Sequence, residues 1–412
     1  MDFFSMREQQ TYCENVPLAD IAQAVGTPSY VYSRASIRNQ CQRLTAAFAA
    51  YPTLACFAVK ANSNISILRE IFLAGFGADI VSIGELQRSL KAEVDPRRVV
   101  YSGVGKRDDE IAAALNIGIL SFNIESEAEV ERIARLAVRQ GLVAPVSLRV
   151  NPNIDAKTNP KISTGLFSTK FGLVESVARE LAARIQTLPS LQLIGVGCHI
   201  GSQIVELNPL VEAGQRLVNF AIELKQLGHK LKFIDLGGGL GIRYQEEVPP
   251  PLEEYAAALI HTVRATGLQL LIEPGRVLMG DAGILLSSVL ATKKSPEKNF
   301  LIVDAAMNDL IRPAMYDSFH EILPVKSSEG PWVKMDIVGP ICETSDYFGL
   351  DRQMPQCEAG DLVYVRSAGA YGSAMASNYN SRPRAAEVLV DGTTFRIIRQ
   401  RESLEDLWRL EL

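Results

Sequence analysis

The sequence has no excess of positive charge. Its 42 lysines and arginines are outnumbered by 47 aspartates and glutamates, giving a net charge of −5. Nothing is left over to neutralise a phosphate backbone, which argues against a nucleic-acid partner. The six cysteines (13, 41, 56, 198, 342 and 357) are dispersed, with no CxxC pair and no clustering with the four histidines. They read as reduced thiols of a cytosolic protein, and no metal is expected. No apolar run reaches membrane length, and Met1-Asp2-Phe3-Phe4-Ser5 lacks a basic stretch followed by an apolar one. A cytoplasmic protein with no membrane partner is therefore expected. There is no solenoid repeat and no low-complexity linker, and no Gly-x-Gly-x-x-Gly follows the first strand-like run. The last absence disfavours a dinucleotide-binding sheet.

What the 412 residues do provide is enough chain for a large core in two or three domains, or in one barrel with an addition. Residues 1–33 read as an entry segment, with an amphipathic helix over 17–25 and a strand over 29–32 set off by Gly26-Thr27-Pro28. Eight β-rich apolar runs follow, at 54–59, 78–81, 98–101, 118–122, 146–150, 193–197, 232–236 and 268–272. Helical patterns such as 127–138, 174–185, 209–227 and 252–264 lie between them. Repeated βα units of this kind predict a (β/α)₈ barrel over residues 34–280. Residues 281–412 change character. Runs at 284–291, 300–304, 333–338, 362–367, 386–390 and 395–398 follow one another without long helices, predicting a mostly antiparallel β domain.

Functional groups of a barrel gather at the C-terminal ends of its strands. Lys60 follows the first strand, in Phe57-Ala-Val-Lys-Ala-Asn62, Asp79 lies in the second and Arg149 in the fifth. His199 follows the sixth, the turn Asp235-Leu-Gly-Gly-Gly-Leu-Gly241 the seventh, and Glu273-Pro-Gly-Arg276 the eighth. A lysine among apolar neighbours is pushed toward its neutral amine, which can attack an aldehyde; a lysine snorkelling into solvent is the plain alternative. The glycine turn offers backbone N–H groups to an anion, with Arg276 adding a cation at the next strand end, although a tight βα turn and a structural ion pair would look the same. Glu273, leaving a buried strand, needs a partner, and either a pyridinium nitrogen or a rim arginine would serve. His199 is suited to stacking on a planar ring, or else is a satisfied core histidine. Together, lysine, phosphate site, carboxylate and flat aromatic partner specify pyridoxal phosphate far better than any one of them does.

With these motifs in hand, the sequence resembles the alanine-racemase-like, fold-type III pyridoxal-phosphate decarboxylases over nearly its whole length. Phe57–Asn62 looks like the family's cofactor-lysine motif, Cys198-His-Ile-Gly-Ser202 its ring-stacking histidine motif, and Glu273–Arg276 its pyridine and phosphate motif. Asn151-Pro152, Ile162-Ser-Thr-Gly-Leu166, Lys170-Phe-Gly172, Arg312-Pro-Ala-Met-Tyr316, Cys342-Glu-Thr-Ser-Asp346 and Gly369-Ala-Tyr371 resemble the branch that acts on meso-diaminopimelate. Ile83 departs from the pattern, standing where the family places a second glycine.

The resemblance implies pyridoxal 5'-phosphate as cofactor, bound by Lys60, Asp79, His199, Ser202, Gly238, Gly239, Glu273, Gly275, Arg276 and Tyr371. It implies Lys60, His199 and Cys342 as catalytic residues, with Cys342 the proton donor. Arg276, Arg312 and Tyr316 would take the substrate's distal carboxylate, Glu343 its distal ammonium, and Tyr371 would touch substrate and cofactor. The implied reaction converts meso-diaminopimelate to L-lysine and carbon dioxide, the last step of lysine biosynthesis. It also implies a homodimer with shared sites, in which the β domain carrying Cys342 and Glu343 completes the barrel site of the other chain. Decarboxylation of ornithine, arginine or a D-amino acid, and a non-catalytic pyridoxal-phosphate barrel, are the rival readings. A merely basic substrate such as ornithine would not need Arg312, since an arginine fork suits a carboxylate.

Overall fold

The computed structural model describes residues 2–327 and 330–411. Met1 and Leu412, the outer limits of the first and last expected segments, and Ser328 and Glu329 within the last, lie outside the described residues. The chain forms two compact units.

The first unit comprises Cys41–Ile242 and Val248–Val277. Its eight strands are Thr53–Ala58, Gly77–Ile80, Val99–Tyr101, Ser121–Ile124, Ala144–Arg149, Leu191–Gly197, Phe233–Asp235 and Gln269–Ile272. They pair in parallel and in sequence order, and the eighth returns to the first, Ile272 opposite Ala55, to close a barrel. All eight expected runs lie on these strands, with ends displaced by up to three residues. They were readable because helices cover a parallel barrel and side chains fill it. Both faces of each strand are therefore buried, and the sequence becomes continuously apolar. Every residue of Gly77–Ile80 and of Ser121–Ile124 is buried.

The helices form for local reasons. Glu127–Gln140 opens on Ser126, whose hydroxyl accepts from the Glu129 N–H at 3.3 Å, and closes on Gly141 in the left-handed region. It buries Val130, Ile133, Ala134 and Ala137, one stripe of a 3.6-residue period. Ile83–Lys91 begins the same way on Ser82. Ile83 takes its first helical position, where an ordinary side chain fits and a glycine is not required.

The second unit joins the described residues up to Gln40, Arg243–Glu247 and the chain from Leu278. Its centre is the twelve-residue strand Gly283–Lys294, which pairs antiparallel with Ser29–Ser33, Asn299–Val303 and Leu362–Val365. The sheet is mostly antiparallel, with two parallel pairs: Asn299–Val303 on Trp332–Val338, and Ser29–Ser33 on Ala386–Asp391. Leu18 and Ile21 of the helix Leu18–Val25 pack into a core with Val31, Ile284, Leu286, Val388 and Val390.

Beside the short strand Ile322–Pro324, two features of this unit were not expected. One is an N-terminal meander of Phe4–Arg7, Gln10–Cys13 and Val16–Pro17. Its turns place Glu8, Gln9 and Glu14 at positive φ, positions where Gly or Asn is the usual signal. The other is the strand Tyr347–Pro355, whose centre carries Asp351, Arg352 and Gln353 in place of an apolar run.

Inside the barrel, Leu54, Cys56, Val100, Ile194, Phe233 and Leu271 form a buried cluster. Gly195 belongs to this packing, since a Cβ there would lie 2.3 Å from the Phe233 ring. Gly195→Ala should therefore overpack the interior and cost about 1–3 kcal/mol. A urea unfolding midpoint equal to the parent's would show that the ring yields freely.

Candidate active site

The first barrel strand ends in a 3₁₀ turn, Val59–Ala61. Val59 and Ala61 are buried, while the Lys60 side chain between them is 39% exposed and its Nζ lies 2.9 Å from Asp79 Oδ2. The expectation of an apolar setting that strips Lys60 of its charge is thereby corrected. Three residues per turn send neighbouring side chains in different directions, and the amine that leaves the wall meets a carboxylate. Asp79 comes from the second strand and is fully buried; its Oδ1 has no hydrogen-bond partner among the described residues.

Asp235 ends the seventh strand and Glu273 follows the eighth. Burial raises the Glu273 carboxyl well above its ordinary range, with the neighbouring charges of Asp235 and Asp79 adding to the shift. Asp235 is pushed up to about 6, chiefly by burial, against the hydrogen bond that it accepts from Gly237 N–H at 2.8 Å. Lys60 and Arg149 favour the ionised form of Glu273, though by less. Such a carboxyl stabilises a cation placed beside it, so a protonated ring nitrogen fits better here than a neutral one.

His199 follows the sixth strand, and its Nδ1 accepts from Gly238 N–H at 3.2 Å. The ring proton is therefore on Nε2. Burial holds the imidazole well below its usual pKa, and the nearby Arg149 and Lys60 reinforce the effect, so the ring is neutral. The Gly237–Gly239 turn is glycine for want of space: a Cβ on Gly238 would lie 2.0 Å from the Glu273 carbonyl, and one on Gly239 2.3 Å from that of Gly201. Gly275 is buried at the same rim, and Arg276 donates through Nη2 to Ser202 Oγ at 3.1 Å. The hydrogen bond from Glu273 N–H to the Gly237 carbonyl, 2.8 Å, joins the two strand ends that carry turn and arginine.

These residues fit pyridoxal phosphate. They offer an amine for its aldehyde, a flat neutral imidazole for its ring, a carboxyl in need of a cation for its ring nitrogen, and glycines with an arginine and a serine for its phosphate.

Sequence reasoning missed two supporting carboxylates. Glu125, directly after the fourth strand, accepts from Arg149 Nη1 at 2.9 Å, Gly103 N–H at 2.7 Å and Gly172 N–H at 3.1 Å, and so fixes the arginine that faces His199. Its place at a barrel strand end was the available signal. Glu85 accepts from Val81 N–H at 2.7 Å, and burial pushes it up to about 7. It lies in the first turn of the helix Ile83–Lys91.

The remaining candidates lie in the β unit. Arg312 and Tyr316 share the short helix Arg312–Tyr316, with Arg312 buried and Tyr316 half-buried. Cys342 and Glu343 are exposed in the turn before Tyr347–Pro355. That turn is held by Asp346, which accepts from the N–H groups of Met307 and Ile341, both at 2.7 Å. The Tyr347 hydroxyl donates to Asp317 at 3.2 Å, tying the turn to the end of the Arg312 helix. Hydrogen bonds from Tyr379 and Ser345 hold Glu343 below its ordinary pKa, so it is an anion at neutral pH. Tyr371 has φ +57°, a left-handed conformation that costs an ordinary residue on the order of 1 kcal/mol.

Comparison with known proteins agrees with this geometry. Residues 34–280 match the pyridoxal-dependent decarboxylase, pyridoxal binding domain, family. The chain is 48% identical to the diaminopimelate decarboxylase of Vibrio cholerae serotype O1, over 100% of this chain and 99% of the relative. Its identity to the diaminopimelate decarboxylase of Neisseria meningitidis serogroup B is 50%, over 97% of each chain. The crystal structure of diaminopimelate decarboxylase from Helicobacter pylori complexed with L-lysine superposes with a TM-score of 0.93 at 44% identity, covering 96% of this chain and 99% of that one. A barrel rim carrying Lys60, His199 and Glu273, and similarity along the whole chain, lead to one assignment: the chain belongs to the diaminopimelate decarboxylase family of pyridoxal-dependent decarboxylases.

Proposed function

We propose that this chain decarboxylates meso-diaminopimelate at its D-centre to L-lysine and carbon dioxide, with pyridoxal 5'-phosphate as cofactor. The carrying observation is the barrel rim, where Lys60 on Asp79, a neutral His199 and the undercompensated Glu273 lie among the strand ends next to the glycine turn and Arg276. The L-lysine held by the Helicobacter pylori relative is the product that such a reaction leaves.

When bound, the cofactor supplies a protonated ring that takes up the electron pair released as carbon dioxide departs. Lys60 provides the amine that holds its aldehyde carbon between turnovers. Glu273 would keep the ring nitrogen protonated, and His199 would stack on the ring. Ser202, Gly238, Gly239, Gly275 and Arg276 would hold the phosphate. Arg276, Arg312 and Tyr316 bind the substrate's distal carboxylate, Glu343 its ammonium, and Tyr371 contacts substrate and cofactor. At the reacting carbon the bond to the carboxylate breaks, the electron pair stays behind, and a proton from the Cys342 thiol replaces the lost carbon dioxide. The thiolate then regains a proton from water.

We further infer a cytoplasmic homodimer in which Cys342 and Glu343 of one chain serve the barrel of the other. All six cysteines are free, in keeping with a reducing compartment. Among the described residues no helix is long and apolar enough to cross a membrane. Both Cys342 and Glu343 are exposed on their own chain, and a thiol in open water is poorly placed to deliver its proton selectively. A second chain would exclude that water, and a two-fold axis would make two equivalent sites.

Arg312→Ala should lose several kcal/mol of transition-state stabilisation, a fall of about 10²-fold or more in kcat/KM for meso-diaminopimelate. Carbon dioxide release measured beside ornithine, arginine and lysine checks this. Unchanged activity on the diamino diacid would remove Arg312 from the site.

Shared sites predict complementation. Inactive Lys60→Ala mixed with inactive Cys342→Ala, under conditions where subunits exchange, should recover roughly a quarter of parental activity, because half the dimers are mixed and each has one intact site. No recovery with exchange demonstrated would mean that Cys342 serves its own chain's barrel.

A further inference from the structure

His320 is fully buried in the β unit, and the reaction described above does not use it. Its Nδ1 lies 2.8 Å from the Arg366 carbonyl oxygen and its Nε2 2.8 Å from Arg312 Nη1. The chemistry of the two partners fixes the ring. A carbonyl oxygen only accepts, so Nδ1 carries the hydrogen; a guanidinium only donates, so Nε2 presents its lone pair. The second guanidinium nitrogen, Nη2, donates to Ser318 Oγ at 3.3 Å. Tyr244, from the segment Arg243–Glu247 of the same unit, lies with its ring centre 4.6 Å from the guanidinium carbon, and the His320 ring meets the Tyr244 ring edge-on at 5.2 Å and 74°. One imidazole nitrogen is thus anchored to the backbone and the other holds an arginine whose face rests on an aromatic ring.

A satisfied core histidine would need none of this alignment. The arrangement suits a guanidinium that must keep one orientation before its ligand arrives. Arginine otherwise loses rotamer freedom on being fixed, and a pre-set fork spares the ligand that cost.

We propose that His320, seconded by Tyr244, is a positioning residue that sets the guanidinium of Arg312 for the substrate's distal carboxylate, and that it acts as an acceptor through Nε2. The inference rests on the assignment of Arg312 to that carboxylate. It goes beyond it by making specificity for a diacid depend on a neutral group that touches no substrate.

The test uses the assembled, cofactor-loaded enzyme and two readouts, steady-state kinetics on meso-diaminopimelate and calorimetric binding of L-lysine, which retains the distal carboxylate. His320→Asn keeps a donor where Nδ1 stood but removes the acceptor facing Arg312; His320→Gln does the reverse. Loss of a contact made equally in ground and transition states appears in KM. His320→Asn should therefore raise KM and weaken L-lysine binding by about tenfold or more, with kcat within about threefold, whereas His320→Gln should stay within about threefold of the parent in all three. A merely structural role predicts that Gln is as harmful as Asn. If His320→Asn does not fold, Tyr244→Leu, which removes the ring beneath the guanidinium, should give the same split between KM and kcat. Parental KM and L-lysine affinity in His320→Asn, or in Tyr244→Leu where that variant stands in, overturns the inference if Arg312→Ala still raises both. If Arg312→Ala also changes neither, the assignment of Arg312 itself falls.

Discussion

Charge at the mouth of a closed barrel has to be balanced by groups that the barrel itself supplies. Asp79 and Asp235 lie on the second and seventh strands and Glu273 follows the eighth, and burial opposes the ionisation of Asp235 and Glu273. The strand pairing that closes the barrel, Ile272 opposite Ala55, brings the eighth strand back to the first and so sets Glu273 near Lys60. Lys60 meets Asp79 directly, and Arg149, fixed by Glu125, adds a second cation. These two cations leave Glu273 still raised, so the rim carries a standing preference for one more positive group. A protonated ring nitrogen would satisfy that preference, and burial, reinforced by the same cations, keeps His199 neutral, as stacking on the ring would require.

The β unit solves a different problem. A diamino diacid differs from a simple basic amino acid by a second carboxylate, and on the proposed assignment Arg312 would meet that difference with an aimed fork. Its guanidinium lies against His320, Ser318 and Tyr244, and hydrogen bonds keep Glu343 anionic. The proposed function thus gives cofactor chemistry to the barrel rim and substrate choice to the β unit.

Much of this was legible in the sequence, for identifiable reasons. Strands buried on both faces write themselves as apolar runs, so all eight barrel strands could be read. The rule that function gathers at strand ends then singled out Lys60, His199, Glu273 and Arg276. What escaped was whatever depends on pairing across the chain. The Lys60–Asp79 contact spans 19 residues and replaces an expected apolar pocket with an ion pair. Tyr244 and Arg312 meet although 68 positions separate them in the sequence, and no local pattern announces it. The N-terminal meander was hidden because its turns use glutamate and glutamine at positive φ, and Tyr347–Pro355 because its centre is polar.

The account stands or falls on one amine. Borohydride reduction of the protein loaded with pyridoxal phosphate, followed by digestion and mass mapping, reports which lysine holds the cofactor. The account predicts the added mass on the peptide containing Lys60 and its absence from Lys60→Ala. Finding that mass on any other lysine of the parent protein would contradict it.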